Sequence, residues 1–365
     1  MDSTDTHSSA AATGRTPSAD SASAVETVAR PKPRHAKRNE PLLRVDGLRV
    51  RFQSPFGTVN AVNGVDLTLN PGETLGILGE SGSGKSITAQ AIMGLVPSPP
   101  GEVSGNGVYF KGQNLLGASG RKLRRVRGKE IAMVFQDSIS SLNPGFTVGR
   151  QIAEMFRLHE GASRRESLRR AVEMIERVGI PSPEVRAGHY PHQFSGGMSQ
   201  RIMIATALAL RPAVVIADEP TTALDVTVQA QIMALLKQLQ EETGMGLILI
   251  THDLHVLAEV ADRVTVMYAG RVVETGTLRE IYDRPRHPYT AGLMRCVPGI
   301  RRKEGSLQPI AGQPPVLTHI PNGCAFHPRC PLRVDECTHS VPRLRTVSSE
   351  HSTACIRHEE IDNAG

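Results

Sequence analysis

The chain has no tryptophan, and aromatic residues make up 4 % of its 365 positions, so any core must be built from aliphatic side chains. It also lacks an uninterrupted apolar run near the ~20 residues that cross a bilayer. The longest runs, such as Ala207-Leu208-Ala209-Leu210 and Ala213 to Ala217, fall far short, which argues against a membrane-spanning helix. The N-terminal stretch has no apolar core of the signal-peptide kind. The chain is therefore expected in the cytoplasm, where cysteines are more often reduced or metal-bound than paired. Net charge is small: 42 Lys and Arg against 36 Asp and Glu leave +6. The basic residues come in short groups, such as Arg121-Lys122-Leu123-Arg124-Arg125 and Arg164-Arg165, rather than as one stripe interleaved with aromatics. That pattern suits solvated helix faces and gives no footprint for nucleic acid.

What is present divides the chain into three. Residues 1–40 are rich in Ser, Thr, Ala and Asp, then in Pro and basic residues, and such a segment is expected to be a disordered tail. Residues 41–295 carry the texture of an α/β domain. Leu43-Arg44-Val45, Leu48 to Phe52 and Val65 to Leu69 alternate as a half-buried antiparallel sheet does. Ala213 to Ala217 and Leu247 to Ile250 read as strands covered on both faces and joined by a helix from Val226 to Gln240, the βαβ unit of a parallel sheet. Ahead of them, about 137–205 is mostly helical in pattern, clearest at Val148 to Leu158 and Arg164 to Val178. Val264 to Tyr268 and Arg271 to Glu274 form a hairpin around Ala269-Gly270. Residues 296–365 gain proline and four cysteines and form a C-terminal extension.

Gly79-Glu80-Ser81-Gly82-Ser83-Gly84-Lys85-Ser86 fits the phosphate-loop pattern G-x-x-x-x-G-K-[ST] without a mismatch, after an apolar run and before a helix-like segment starting at Ile87. A triphosphate is wrapped by backbone N–H groups, and glycine lets the backbone come close. Helix N–H groups face the anion, Lys85 supplies a charge to the outer phosphates, and Ser86 a hydroxyl to Mg²⁺. Asp218-Glu219-Pro220 ends an apolar strand, where ligands of open α/β sheets bind. Asp218 suits the Mg²⁺ shell and Glu219 the attacking water. His252 ends the next strand and can donate to the γ-phosphate.

Phe194-Ser195-Gly196-Gly197-Met198-Ser199-Gln200-Arg201 resembles the signature motif of ATP-binding cassette (ABC) ATPases. The resemblance implies a P-loop ABC fold: a parallel core sheet, an antiparallel β subdomain and a helical subdomain. It also implies a head-to-tail pair of cassettes, in which Ser195, Gly196, Gly197 and Met198 close over the partner's nucleotide. Met198 and Phe194 replace the usual glutamine and leucine, and neither is a phosphate donor. On the same resemblance, Gln136 links Mg²⁺ and the attacking water to the membrane partner, and Ala223-Leu224-Asp225 is the loop crossing the dimer interface. Phe56 stacks on adenine, with Phe52 as runner-up. The expected ATP contacts are thus Phe56, Gly79, Ser81, Gly82, Ser83, Gly84, Lys85, Ser86, Ile87, Gln136, Asp218 and His252, with Mg²⁺ held by Ser86, Gln136 and Asp218.

Phe135 to Pro144, Tyr190-Pro191-His192 and His287-Pro288-Tyr289-Thr290, with the cysteine-bearing tail, are similar to the oligopeptide/dipeptide importer ATPases. Importers of nickel, glutathione and opines share that texture. The resemblance implies two transmembrane permease subunits, a second identical or paralogous ATPase, and an extracytoplasmic substrate-binding protein acting indirectly. The chain would then lie at the cytoplasmic face of the cell membrane. A soluble ABC ATPase acting on nucleic acid is the rival; such proteins generally carry tandem cassettes, and one phosphate loop is found here.

Cys324, Cys330, Cys337 and Cys355 are spaced C-x5-C-x6-C-x17-C in a segment with few apolar residues. A metal or cluster is a natural means of ordering such a segment. Zinc prefers tighter C-x2-4-C pairs, and Cys-Pro occurs in cluster ligation; the family resemblance also implies an iron–sulfur cluster. A [4Fe–4S] cluster is expected, with Zn²⁺ and free thiols as alternatives. Cys296 stands apart and is expected to be a buried apolar side chain.

Overall fold

A computed structural model describes residues 40–137, 141–222, 224–295 and 310–363. The expected N-terminal tail, Ser138 to Ser140, Ala223 and Cys296 lie outside the described residues. The alternating pattern near the start folds as one long hairpin. β1 (Leu43–Ser54) pairs antiparallel with β2 (Gly57–Leu69), from Leu43 opposite Leu69 to Ser54 opposite Gly57. Short strands expected here merge because register shifts after Val45 and Leu48 absorb the interruption at Asp46-Gly47 without ending the pairing. β4 (Gly101–Ser104) and β5 (Gly107–Phe110) also pair with β1, and β6 (Gln113–Asn114) closes the edge.

The second sheet contains β3 (Thr74–Leu78), β7 (Ile131–Val134), β8 (Val214–Asp218), β9 (Gly246–Thr251), β10 (Arg263–Tyr268), β11 (Arg271–Thr277), β12 (Arg345–Thr346) and β13 (Ser352–Thr353). Its order is β12-β13-β11-β10-β3-β9-β8-β7. From β10 through β7 the neighbours are parallel, and β11 returns antiparallel on β10. Every residue of β3, β8 and β9 is buried, because both faces are covered. Val214, Ile216, Ile248 and Ile250 pack with the β1–β2 sheet and the helix Lys85–Ile92. Their alternates Val215, Ala217, Leu247 and Leu249 pack with the helices. Period two thus sends one strand into two cores. Each fully buried aliphatic side chain contributes roughly 1.5–3 kcal/mol, so Ile216→Ala would cost about 2–5 kcal/mol.

The helical stretch comprises Val148–Glu160, Arg164–Arg177, Pro183–Arg186 and Gly196–Leu208. Val148, Ile152 and Phe156 recur every four residues and are buried, which is the amphipathic stripe of a surface helix. Gly161, at φ 68°, ends that helix, and the Ser163 hydroxyl caps the next by accepting from Glu166 N. The extension continues the central sheet: β13 pairs antiparallel with β11, Thr353 opposite Glu274. Phe326 is buried, and Cys324 and Cys330 pack against the main core. Among the described residues no helix is long and apolar enough to cross a membrane.

Candidate functional site

The phosphate loop lies between β3 and the helix Lys85–Ile92. Its glycines answer to packing as well as to any anion. A Cβ on Gly79 would stand 2.3 Å from Met267 O, and one on Gly84, at φ 100°, 2.4 Å from Ala61 O. The loop is wedged between the end of β10 and the backbone of β2, and only residues without a side chain fit there. Gly82 meets nothing within 4 Å but holds φ 77°. Lys85 is buried, and its ammonium donates to Gly79 O (2.8 Å) and Glu80 O (3.0 Å) of its own loop. Burial lowers its pKa, opposed by the charges of Glu219, Asp218 and Glu80. The cation is thus placed among loop carbonyls, with carboxylates close by that favour its charged form.

The acidic pair sits where β8 ends. Asp218 is 3 % exposed, and its Oδ1 accepts from Ser86 Oγ at 2.9 Å. Burial raises its pKa, the Ser86 bond lowers it, and Glu219 raises it further. A buried carboxylate beside a hydroxyl, both at the phosphate loop, is a donor set that suits a hard divalent cation. Glu219 has φ 45°, a left-handed backbone that costs a non-glycine residue of order 1–3 kcal/mol and is typical of functional positions. Its N–H donates to Ile250 O at 2.9 Å, anchoring it to the neighbouring strand β9. Its Oε2 accepts from Gln136 Nε2 and from Thr222 Oγ1, each at 2.9 Å, and its Oε1 lies 3.4 Å from His252 Nδ1. Lys85, Ser86, Asp218, Glu219, Gln136 and His252, far apart in sequence, therefore converge at the carboxyl edge of the parallel strands. Thr222 was not foreseen; its spacing of three from Glu219 is the signal that would have found it.

The signature opens the helix Gly196–Leu208, with Ser195 as its N-cap accepting from Met198 N at 3.4 Å. Ser195 is exposed. A Cβ on Gly197 would stand 2.6 Å from Val228 Cγ1, so this glycine also lets the signature helix approach the helix Val226–Thr243. Asp225 caps that second helix, accepting from Val228 N at 2.9 Å, and Val226 beside it is 83 % exposed. Phe56 stands at the tip of the β1–β2 hairpin, 87 % exposed, whereas Phe52 packs against the second core. The hairpin reaches the loop instead through the backbone of Ala61.

The four cysteines of the extension are free and line one small cavity with Phe326, His287 and His327. Burial pushes the Cys330 thiol up to about 11 and the Cys355 thiol up to about 12, and the other thiols of the group add to both shifts. Among the described residues, however, no group of three or more His, Cys, Asp or Glu could hold a metal ion. The expected cluster and its zinc alternative thus gain no support as a preformed ligand set. What the fold supplies is the convergence of four thiols about one space.

A family model described as ABC transporter matches residues 62–222, and one described as oligopeptide/dipeptide transporter, C-terminal region, matches residues 273–337. The chain is 49 % identical over 315 residues to the oligopeptide transport ATP-binding protein of Haemophilus influenzae, covering 86 % of this chain and 97 % of that one. It is 47 % identical over 324 residues to the dipeptide transport ATP-binding protein of Escherichia coli K12, covering 89 % and 98 %. Among solved structures it is similar to an ATP-binding cassette in a dimeric post-hydrolysis state with ADP and phosphate. The TM-score is 0.59 at 31 % identity, over 65 % of this chain and 99 % of that one.

Proposed function

The chain belongs to the ABC transporter ATP-binding proteins of the oligopeptide/dipeptide type, and from that premise we propose that it hydrolyses ATP to power import of di- or oligopeptides. The observation that carries this is the hydrogen-bonded set Ser86–Asp218 and Gln136–Glu219–Thr222, with Lys85 and His252 beside it. In it Lys85 and the N–H groups of Gly79 and of Ser81 to Ile87 bind and orient the phosphates. Glu219, steadied by Gln136 and Thr222, holds the attacking water and takes its proton, while His252 donates to the γ-phosphate. Ser86, Asp218 and the Gln136 amide oxygen would hold Mg²⁺, which neutralises charge on the phosphates. Phe56 is assigned to adenine stacking.

Two such chains, or this chain and a paralogue, pack so that Ser195 to Met198 of each face the nucleotide of the other, with Asp225 at the interface. The exposed Ser195 and Val226 favour this, since an exposed helix N-terminus and an exposed apolar side chain both gain from a partner. ATP-driven closure is passed through Gln136 to two permease subunits at the cytoplasmic face of the membrane. Substrate reaches the opposite, outer side of those subunits from an extracytoplasmic binding protein. The domain limits follow the same assignment: a tail to residue 40, a cassette over 41–295 with its helical subdomain near 137–205, and an extension over 296–365. For the extension we retain a [4Fe–4S] cluster on Cys324, Cys330, Cys337 and Cys355. The support is chemical: four desolvated cysteines about one cavity, whose thiolate forms would repel one another, gain from a shared cation, and a cluster spreads its ligands over several irons. Its role would be to order the extension.

The deciding experiment is reconstitution of the chain with its permease and binding-protein partners in vesicles. Short peptides are expected to accelerate ATP hydrolysis and accumulate inside. Hydrolysis indifferent to peptides but responsive to nickel, glutathione or opines would move the substrate class.

A further inference from the structure

Glu80, the residue after the first loop glycine, is held at all three of its polar positions. Its N–H donates to Tyr289 Oη at 2.8 Å, and its carbonyl accepts from Lys85 Nζ at 3.0 Å. Its carboxylate receives a two-pronged guanidinium, Arg329 Nη1 on Oε2 at 2.7 Å and Nη2 on Oε1 at 3.0 Å. Arg329 lies 249 residues away in sequence, in the short turn His327–Arg329 between Cys324 and Cys330. Its side chain is 5 % exposed, and its other donors go to Ala311 O, Ile310 O and Tyr268 Oη. Beneath it Phe326 packs on Tyr268 and Tyr289 with centroids 5.3 and 5.4 Å away, and Pro314 and Pro315 border the loop at Glu80 to Ser83.

We infer that Arg329 is a positioning residue for the phosphate loop, holding it in nucleotide-binding shape through Glu80, so that docking of the cysteine-bearing extension and ATP binding favour each other. A desolvated fork on a carboxylate fixes both distance and plane. The carbonyl that Lys85 grips belongs to the residue so fixed, so a shift of Glu80 moves both the loop and its lysine. By linkage, whatever steadies the extension tightens nucleotide binding, and nucleotide binding steadies the extension.

The inference rests on the assignment of Gly79 to Ser86 as the nucleotide loop, and charge alone predicts the opposite sign in one variant. Glu80→Gln removes a negative charge beside the phosphates, so electrostatics predicts tighter MgATP binding, whereas positioning predicts weaker. In the full-length chain we expect Glu80→Gln and Arg329→Gln each to raise Kd and KM for MgATP about tenfold, within the span of coupled neighbours. kcat at saturation should change less than about twofold. Arg329→Lys, which keeps charge but not the fork, should lie between. The double variant should stay as weak as the single ones. Binding restored in the double variant, tighter binding by Glu80→Gln, or Kd unchanged in a variant whose unfolding temperature alone falls would each overturn the inference. Should Arg329→Gln not fold, the sign of the Glu80→Gln effect still decides. A parent chain that binds no MgATP would overturn the nucleotide assignment itself, and the inference with it.

Discussion

Replacing Glu219 by Gln tests the assigned chemistry with little disturbance of the geometry. The carboxylate accepts two 2.9 Å hydrogen bonds at Oε2, from Gln136 and Thr222, and has His252 Nδ1 at 3.4 Å from Oε1. A glutamine can keep its carbonyl oxygen at the Oε2 position, satisfying both donors, and place its NH₂ at the Oε1 position facing the His252 ring. Packing is therefore retained while the charge and the base are lost. Loss of a positioned general base costs about 10²–10⁴ in rate, or about 3–5 kcal/mol of barrier. Binding of MgATP should hold or tighten, because one carboxylate near the phosphates is gone and Lys85, which feels that carboxylate, is untouched. The assay is single-turnover phosphate release beside equilibrium nucleotide binding on the same preparation. Hydrolysis within tenfold of the parent would refute Glu219 as the base. A parallel loss of binding would show that its role is to shape the site.

Four further outcomes follow from the geometry. Gly84→Ala places a methyl group 2.4 Å from Ala61 O at φ 100°, a strain of order 1–3 kcal/mol before the clash. It should lower both the unfolding temperature and MgATP affinity; retention of both would disprove the wedge. Ser195→Arg should leave MgATP binding to the isolated chain intact and abolish ATP-driven dimerisation, and equal loss of the two would place the signature within its own chain's site. Gly197→Ala should loosen the packing on Val228, read as a fall in unfolding temperature without a change in MgATP affinity of the monomer. Anaerobically purified protein should be brown with about four irons per chain, and Cys330→Ser should bleach it while MgATP binding persists. Colourless protein with one tightly bound zinc, or with four freely titrating thiols and an ordered extension, would dispose of the cluster.

The parts of this molecule that could be read from the amino-acid order are those whose physics is local. The phosphate loop is eight consecutive residues whose types are dictated by one short stretch of backbone. The buried strands announce themselves because a two-residue period needs only a few neighbours to be seen, and Asp218-Glu219 stands out as charge directly after such a strand. Even there the reason for the glycines was only half visible: Gly79 and Gly84 are also required by Met267 O and Ala61 O, partners that no local pattern names.

Folding alone decided the rest, since apolar burial tells a side chain to face inward but not what it will meet. Gln136 and His252 meet Glu219 only once β7, β8 and β9 lie side by side. Lys111 joins Arg121, Arg124, Arg125, Arg127 and Lys129, already neighbours in sequence, around one groove of ≈ 1000 Å³, and its ion pair with Glu130 exists only in the folded chain. The four thiols share a cavity because β13 adds to β11 and turns the end of the chain back onto the domain. Arg329 reaches Glu80 across 249 residues, through a contact whose two members carry no mark in sequence. A charge pair is defined by distance, and that distance exists only in the folded chain.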